Sequence, residues 1–381
     1  MLATLALLGA LLQDPSRTSV APPPDDPTLV STAAEAWFEP ELAERCAAAA
    51  ERGLLWLQGR QLAAGCWTGY VGHKMQDDYE LIATGMLPET QQRLGRGHLG
   101  VTALCGMAFL AGGHLPDRGK HHVVVQRTVD YVLRQAQENG YLSDAGTRMY
   151  SHAFATLFLA EVYGMTQGDA AKGTLERAIN LIVDSQNALG GWRYNPFDRE
   201  IDLSVTVCQV QALRAARNIG IRVAPETIDR AIDYVQRSRV DSGRYRGLFH
   251  YKIHGRGAYQ KPDEFAINAA ALTALSSAGI HDDDLRDPVL EFLDREYSRV
   301  ADWYSTHFYY WYGNYYAAQA FYQAGGPRLR RYFARLANDL LRRQAPDGRW
   351  QNSVGPGDEL GTAVACILLQ MPKQYLPIFQ R

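Results

Sequence analysis

Arg52-Gly53-Leu54-Leu55-Trp56-Leu57-Gln58-Gly59-Arg60-Gln61-Leu62-Ala63-Ala64-Gly65-Cys66-Trp67 closes an amphipathic run and reverses the chain at a glycine. The spacing returns almost position for position in Arg177-Ala178 … Leu181-Ile182 … Gln186 … Gly190-Gly191-Trp192. Its second half returns in Arg335 … Leu340 … Gln344 … Gly348-Arg349-Trp350. Degenerate copies start at Arg127, Arg230 and Phe292, which makes six. Repetition at this period means stacked supersecondary units, none able to bury its apolar face alone.

Each unit carries two kinds of helix. The first is one-sided: Leu175, Ala178, Ile179, Ile182 and Val183, or Phe333, Leu336, Ala337, Leu340 and Leu341, fall on one stripe at i, i+3, i+4, i+7 and i+8. Such a helix borders water on its other face. The second kind is apolar nearly all round, as in residues 101–110, 153–160, 265–275 and 362–369. It must be enclosed on every side. The first five of these enclosed helices run into Gly112-Gly113, Gly164, Gly220, Gly279 and Gly325-Gly326, each suited to a left-handed C-cap, and the sixth stops before Pro372. No stretch alternates with period two, so no substantial sheet is expected. Six outer helices around six enclosed ones predict an all-α fold, an (α/α)6 toroid. An open solenoid is the competing architecture, but six copies suit closure and neither end copy is markedly polar, as a capping repeat would be.

The motif R/K-G/A-x-x-F/Y/W-L-x-x-x-Q-x-x-x-G-x-W resembles the QW repeat of squalene-hopene and oxidosqualene cyclases, over about residues 41 to 372. The wider terpenoid cyclase and protein prenyltransferase group consists of α/α toroids, so the resemblance implies that fold. It also implies an apolar, isoprenoid-like ligand. Within the repeat, glycine permits the reversal, glutamine can bond exposed backbone groups at helix ends, and tryptophan packs. These residues read as staples between repeats rather than as a catalytic set. The group's chemistry does not carry over residue by residue. His281-Asp282-Asp283-Asp284-Leu285 fails the D-x-D-D spacing and reads as helix-start carboxylates. No Asp-x-Cys zinc motif occurs, and Gly65-Cys66-Trp67-Thr68-Gly69 lacks the glutamine of a thioester.

At 381 residues and 46% apolar content, the chain is long enough for one large core, placed at residues 36–381. A formal charge of −2 offers no basic stripe for nucleic acid. No run reaches the roughly 18 apolar residues of a membrane span. Leu2 to Leu12 resembles the apolar part of a secretory signal, with Ser19-Val20-Ala21 as small residues for cleavage, and residues 13–35 form a proline-rich linker. Export to the periplasm or the extracellular space is the expectation. Five scattered cysteines, with no C-x-x-C and no closely spaced Cys/His set, predict neither a disulfide framework nor a zinc knuckle. No metal and no cofactor are expected, and the oligomeric state is not legible.

Every enclosed helix follows its outer partner in the same sense, so the six enclosed N-termini should gather at one mouth. Their unpaired N–H groups and partial positive charge favour an anion there. The polar side chains at those starts are His98, Tyr150, His152, Asp202, Ser204, Asp263, Glu264, Tyr312, Asn314, Asp358 and Glu359. As catalytic candidates we take His98, Tyr150, His152, Asp202 and Glu264, which could do acid/base work. As ligand-binding candidates we take Trp311, Tyr312, Asn314, Tyr315, Asp358 and Glu359, set in the aromatic run from Trp303 to Tyr322. Capping by Asp202, Asp263 and Asp358, and plain hydrogen bonding by His98 and His152, are the structural readings of the same residues. The loops at residues 69–73 and 247–259, rich in Gly, His and aromatics, are further candidates. Three functions stay open: a scaffold that binds a small apolar molecule, an enzyme acting on isoprenoids or glycans, and a protein-interaction toroid.

Overall fold

The computed structural model describes residues 38–69, 72–75, 78–81, 97–144, 147–307 and 309–379. The Leu2 to Leu12 run and the linker lie outside them, as do Tyr70 and Val71 of the first candidate loop. Twelve α-helices are described: α1 Pro40–Arg60, α2 Leu99–Ala111, α3 His122–Arg134, α4 Met149–Thr166, α5 Asp169–Asp184, α6 Leu203–Asn218, α7 Pro225–Arg237, α8 Phe265–Ser277, α9 Asp283–Ala301, α10 Tyr309–Ala324, α11 Gly326–Arg343 and α12 Asp358–Leu369. The one sheet among the described residues is a hairpin of β1 Gly72–Met75 and β2 Asp78–Leu81, antiparallel with Gly72 opposite Leu81.

The even-numbered helices are the enclosed ones. All thirteen residues of α2 are buried, and α4, α6, α8, α10 and α12 are buried over most of their length. Their sequence neighbours in the layer touch in turn, and α12 touches α2, so the layer closes. Matching ends meet. A Cβ on Gly100 would lie 2.7 Å from Ser151 Oγ and one on Gly313 2.9 Å from Phe265, while at the far ends Gly106 faces Phe158 and Gln370 Nε2 donates to the Ala108 carbonyl at 2.9 Å. The inner helices therefore run parallel in a closed ring. This is the α/α toroid.

One repeated device joins the units. Gln61 Nε2 donates to the Gly65 carbonyl of its own turn at 3.2 Å and to the Val124 carbonyl of the next outer helix at 3.0 Å. Gln186 does the same with Gly190 and Thr227, both at 2.8 Å. Gln344 bonds Gly348 and Ala49, again at 2.8 Å, so the bond that links adjacent units also links the last to the first. Each glycine sits where no side chain fits: the φ of Gly190 is +98°, and a Cβ would stand 2.2 Å from the Arg230 carbonyl oxygen. Each tryptophan indole, at Trp67, Trp192 and Trp350, donates to a carbonyl ten residues back at 2.8 Å. A buried threonine, Thr102, Thr206 or Thr362, receives the backbone N–H of the same tryptophan. All five cysteines are buried and free.

One expected helix end differs. α4 does not stop at Gly164 but runs to Thr166, and Gln167 takes the left-handed cap at φ 54°. Gly164 is small for another reason: a Cβ there would press within 2.6 Å of Ile219. Among the described residues no helix is long and apolar enough to cross a membrane.

Candidate functional site

The starts of α4, α6 and α10 converge on one polar network. It is rooted in Asp202, the N-cap of α6. Asp202 Oδ1 accepts from the Val205 N–H at 2.9 Å and from the Ser204 hydroxyl at 2.7 Å, and Oδ2 pairs with Arg193. Arg193 follows the repeat's Trp192, its guanidinium 4.3 Å over the Tyr194 ring, and it donates to Tyr251 at 3.3 Å. Tyr194 and Tyr251 share a hydrogen bond at 3.2 Å. From the neighbouring helices Tyr150 donates to the Ser204 hydroxyl, and Tyr312 donates to the Ser204 carbonyl at 3.2 Å. The Tyr150 ring meets Tyr312 edge-on at 6.3 Å and lies tilted against Tyr194 at 6.2 Å. Behind Arg193 lies a second ion pair, Lys252 to Glu200 at 2.8 Å.

Burial pushes the phenols of Tyr150, Tyr251 and Tyr312 well above their ordinary range, and the Asp202 charge adds to this. Burial opposes the Arg193 charge, but Asp202 and Tyr251 outweigh it and the guanidinium is held more firmly charged. The mouth therefore holds protonated phenols, most of whose protons are already donated within the network, and one fixed cation–anion pair rather than a free base.

Deeper in the ring, side chains cross the axis. α4 and α10 stand opposite each other in the ring order, yet Phe154 and Tyr315 meet edge-on at 5.9 Å. Cys208 lies 3.1 Å from the Tyr316 hydroxyl, and Gln211 bonds Gln319. Among them is Glu161, 1% exposed, one carboxyl oxygen of which has no partner. Burial lifts its pKa to about 8. The lumen expected to be apolar thus carries a carboxylic acid, two amides and several phenols.

Of the sequence candidates, Tyr150, Asp202 and Tyr312 come together. Ser204, named with them at the mouth, is their common partner. His98 is the N-cap of α2, its Nδ1 accepting from Val101 N–H at 3.3 Å. His152 is sealed inside α4: Nδ1 accepts from Leu142 N–H at 3.0 Å and Nε2 donates to the Ala178 carbonyl at 3.3 Å. Burial depresses both imidazoles to about 4. Glu264 is half-buried at the N-cap position of α8. Trp311 packs among Tyr304 and Tyr310 in the wall. Asn314 faces outward, accepting from the Tyr332 hydroxyl at 2.9 Å and tying α10 to α11. Tyr315 lies below the mouth. Neither Asp263 nor Asp358 is an N-cap as expected: Glu264 and Gly357 hold those positions, Asp263 pairs with Lys261, and Asp358, in the first turn of α12, accepts from Asn352 N–H at 2.7 Å. Glu359 pairs with Arg60 at 2.8 Å. Asp282 caps α9 by accepting from Asp284 N–H at 2.8 Å, on an outer helix.

Arg193, Tyr194 and Glu161 were not among the candidates. The loop at 247–259 was, and it delivers Tyr251 and Lys252. Arg193-Tyr194 directly after Trp192 could have been found as polar residues at an enclosed turn. A His set was also missed: His114 and His121, seven positions apart, converge with Glu51 across the fold.

No family model and no curated protein sequence matches the chain. Solved structures match over nearly their whole length. An α-1,6-mannanase of Salegentibacter in complex with α-1,6-mannotriose aligns at TM-score 0.60 and 9% identity, over 86% of this chain and 98% of that one. A glycoside hydrolase family 76 mannosidase of Bacteroides thetaiotaomicron aligns at 0.57 and 11%, over 87% and 97%. A type II terpene cyclase of Scytonema in complex with geranylgeranyl dihydroxybenzoate aligns at 0.54 and 12%, over 89% and 99%. At such identities the likeness is one of fold, shared here with enzymes of two unrelated chemistries.

Proposed function

We propose that this toroid binds a small hydroxylated, ring-bearing molecule at the mouth formed by Tyr150, Arg193, Tyr194, Tyr251 and Tyr312. The observation that carries this is the cluster of protonated phenols around the Arg193–Asp202 pair, above an axis crossed by Phe154–Tyr315 and Tyr316–Cys208. Phenol faces stack on rings, while the phenol oxygens can accept from polar substituents and the guanidinium can donate to them. The family 76 neighbour holding a mannotriose on the same fold supports the sugar form of this reading. Acid/base turnover by the sequence candidates has less support, since His98 and His152 serve the backbone and both Asp202 oxygens are engaged.

A second reading, an isoprenoid-like ligand, is favoured by the terpene cyclase neighbour and by the aromatic lining. Calorimetric titration with α-1,6-mannotriose and, separately, with geranylgeraniol in detergent separates the two. Saturable binding of the sugar, weakened at least tenfold by Tyr150→Ala and by Tyr251→Ala with the helical spectrum intact, supports the first. Binding of the isoprenoid alone replaces it with the second, and binding of neither favours a protein-interaction role.

Export is likewise proposed, from Leu2 to Leu12 and Ser19-Val20-Ala21. An N-terminus that begins after Ala21 in the exported fraction supports it. Full-length protein confined to the cell interior overturns it.

A further inference from the structure

Beside the C-terminal end of α2, roughly 20 Å along that helix from the mouth, a second cluster forms that the site above does not use. The loop from Gly112 to His121 doubles back on itself: Leu115 and Arg118 pair, with Leu115 N–H donating to the Arg118 carbonyl at 2.9 Å. Gly119, at φ +93°, lets the backbone pass so close to His114 that a Cβ would lie 2.8 Å from its Nδ1. The fold-back sets the His114 ring edge-on to His121, centroids 4.7 Å apart. Glu51 approaches from α1, its Oε1 3.4 Å from His121 Nε2. One nitrogen of each imidazole and one oxygen of Glu51 lie within 4.8 Å of one another.

We propose that Glu51, His114 and His121 bind one divalent transition-metal ion of the zinc class. Two imidazoles and a carboxylate are a donor set that zinc accepts, with a fourth position left for water. The outer contacts fit. Gln58 Oε1 takes the His121 Nδ1–H at 2.6 Å, which leaves Nε2 with its lone pair directed at Glu51, the tautomer a metal needs. His114 Nδ1 is buried and has no hydrogen-bond partner. Burial, the largest cause, holds both imidazoles below their ordinary value, while the Glu51 carboxylate acts in the opposite direction. The positive groups at the site are Lys120, which pairs with Glu51, and Lys373, which acts on His114. Lys120 is 61% exposed and free to swing out, so the ammonium now on Glu51 is the competitor that a dication displaces. A metal here would join α1, which packs against the last helix α12, to the loop between α2 and α3.

The test is zinc titration of the chelator-treated full chain, followed by calorimetry and by melting. One zinc per chain is expected, with Tm raised by about 4 °C at a hundredfold excess over Kd. His114→Ala, His121→Ala and Glu51→Gln should each weaken binding at least tenfold, and His281→Ala should leave it unchanged. Lys120→Ala should tighten binding several-fold, an effect that a merely structural cluster would not show and one that does not depend on the histidine variants folding. No stoichiometric zinc overturns the proposal. So does binding that survives Glu51→Gln and is indifferent to Lys120→Ala.

Discussion

At the scale of single residues, the repeat is a set of backbone solutions, and its members should differ sharply in tolerance. Gly190→Ala forces a Cβ onto the Arg230 carbonyl at positive φ, and a loss of about 2–4 kcal/mol is expected in denaturant melts. Gly59→Ala, inside α1 with nothing within 4 Å, should instead stabilise by about 0.5–1 kcal/mol. Gln344→Ala leaves the Ala49 and Gly348 carbonyls without their shared donor and should cost about 1–3 kcal/mol. These roles were legible because glycine, glutamine and tryptophan answer needs created by their own turn. Arg193 and Tyr251 were harder to foresee: 58 positions separate them, and only the ring brings them together.

At the scale of the element, the two helix types were readable because burial leaves a pattern in every residue. What the pattern concealed was the exception. Glu161 ends the apolar run of α4, yet the helix continues through it and carries it into the lumen. Its folded pKa of about 8 lies above the ordinary 4.5, so its contribution to stability falls away as pH rises between those values. Glu161→Gln should therefore stabilise the protein at pH 7 and above, by about 3 kcal/mol at pH 7, and do little at pH 4. Equal melting temperatures for the two chains at pH 8 would show that Glu161 is solvated.

For the molecule as a whole, the buried imidazoles set the acid limb. His98 and His152 titrate at about 4 when folded and at 6.5 when unfolded. The unfolded chain takes up protons first, so stability drains between pH 6.5 and 4, by roughly 3 kcal/mol for each. With His114 and His121 also depressed and Glu161 acting in the opposite sense, the Tm should peak between about pH 6.5 and 7. His98→Asn, which keeps a capping side chain, should reduce the acid slope by about one proton. The toroid itself was foreseen from six copies of a motif, whereas the chemistry at its mouth was not, because a ring of this kind serves mannanase and terpene cyclase alike.

The Gln344–Ala49 bond spans 295 positions, and Gly348 rests on the Arg52 carbonyl. During synthesis α1 emerges before α11 and α12, and the face it turns to them stays uncovered until that hairpin leaves the ribosome. A permutant that joins the end of the described chain to its beginning through a short linker, and opens instead between α6 and α7, would turn that late long-range seam into a local one. It should refold faster than the parent while keeping the same melting temperature.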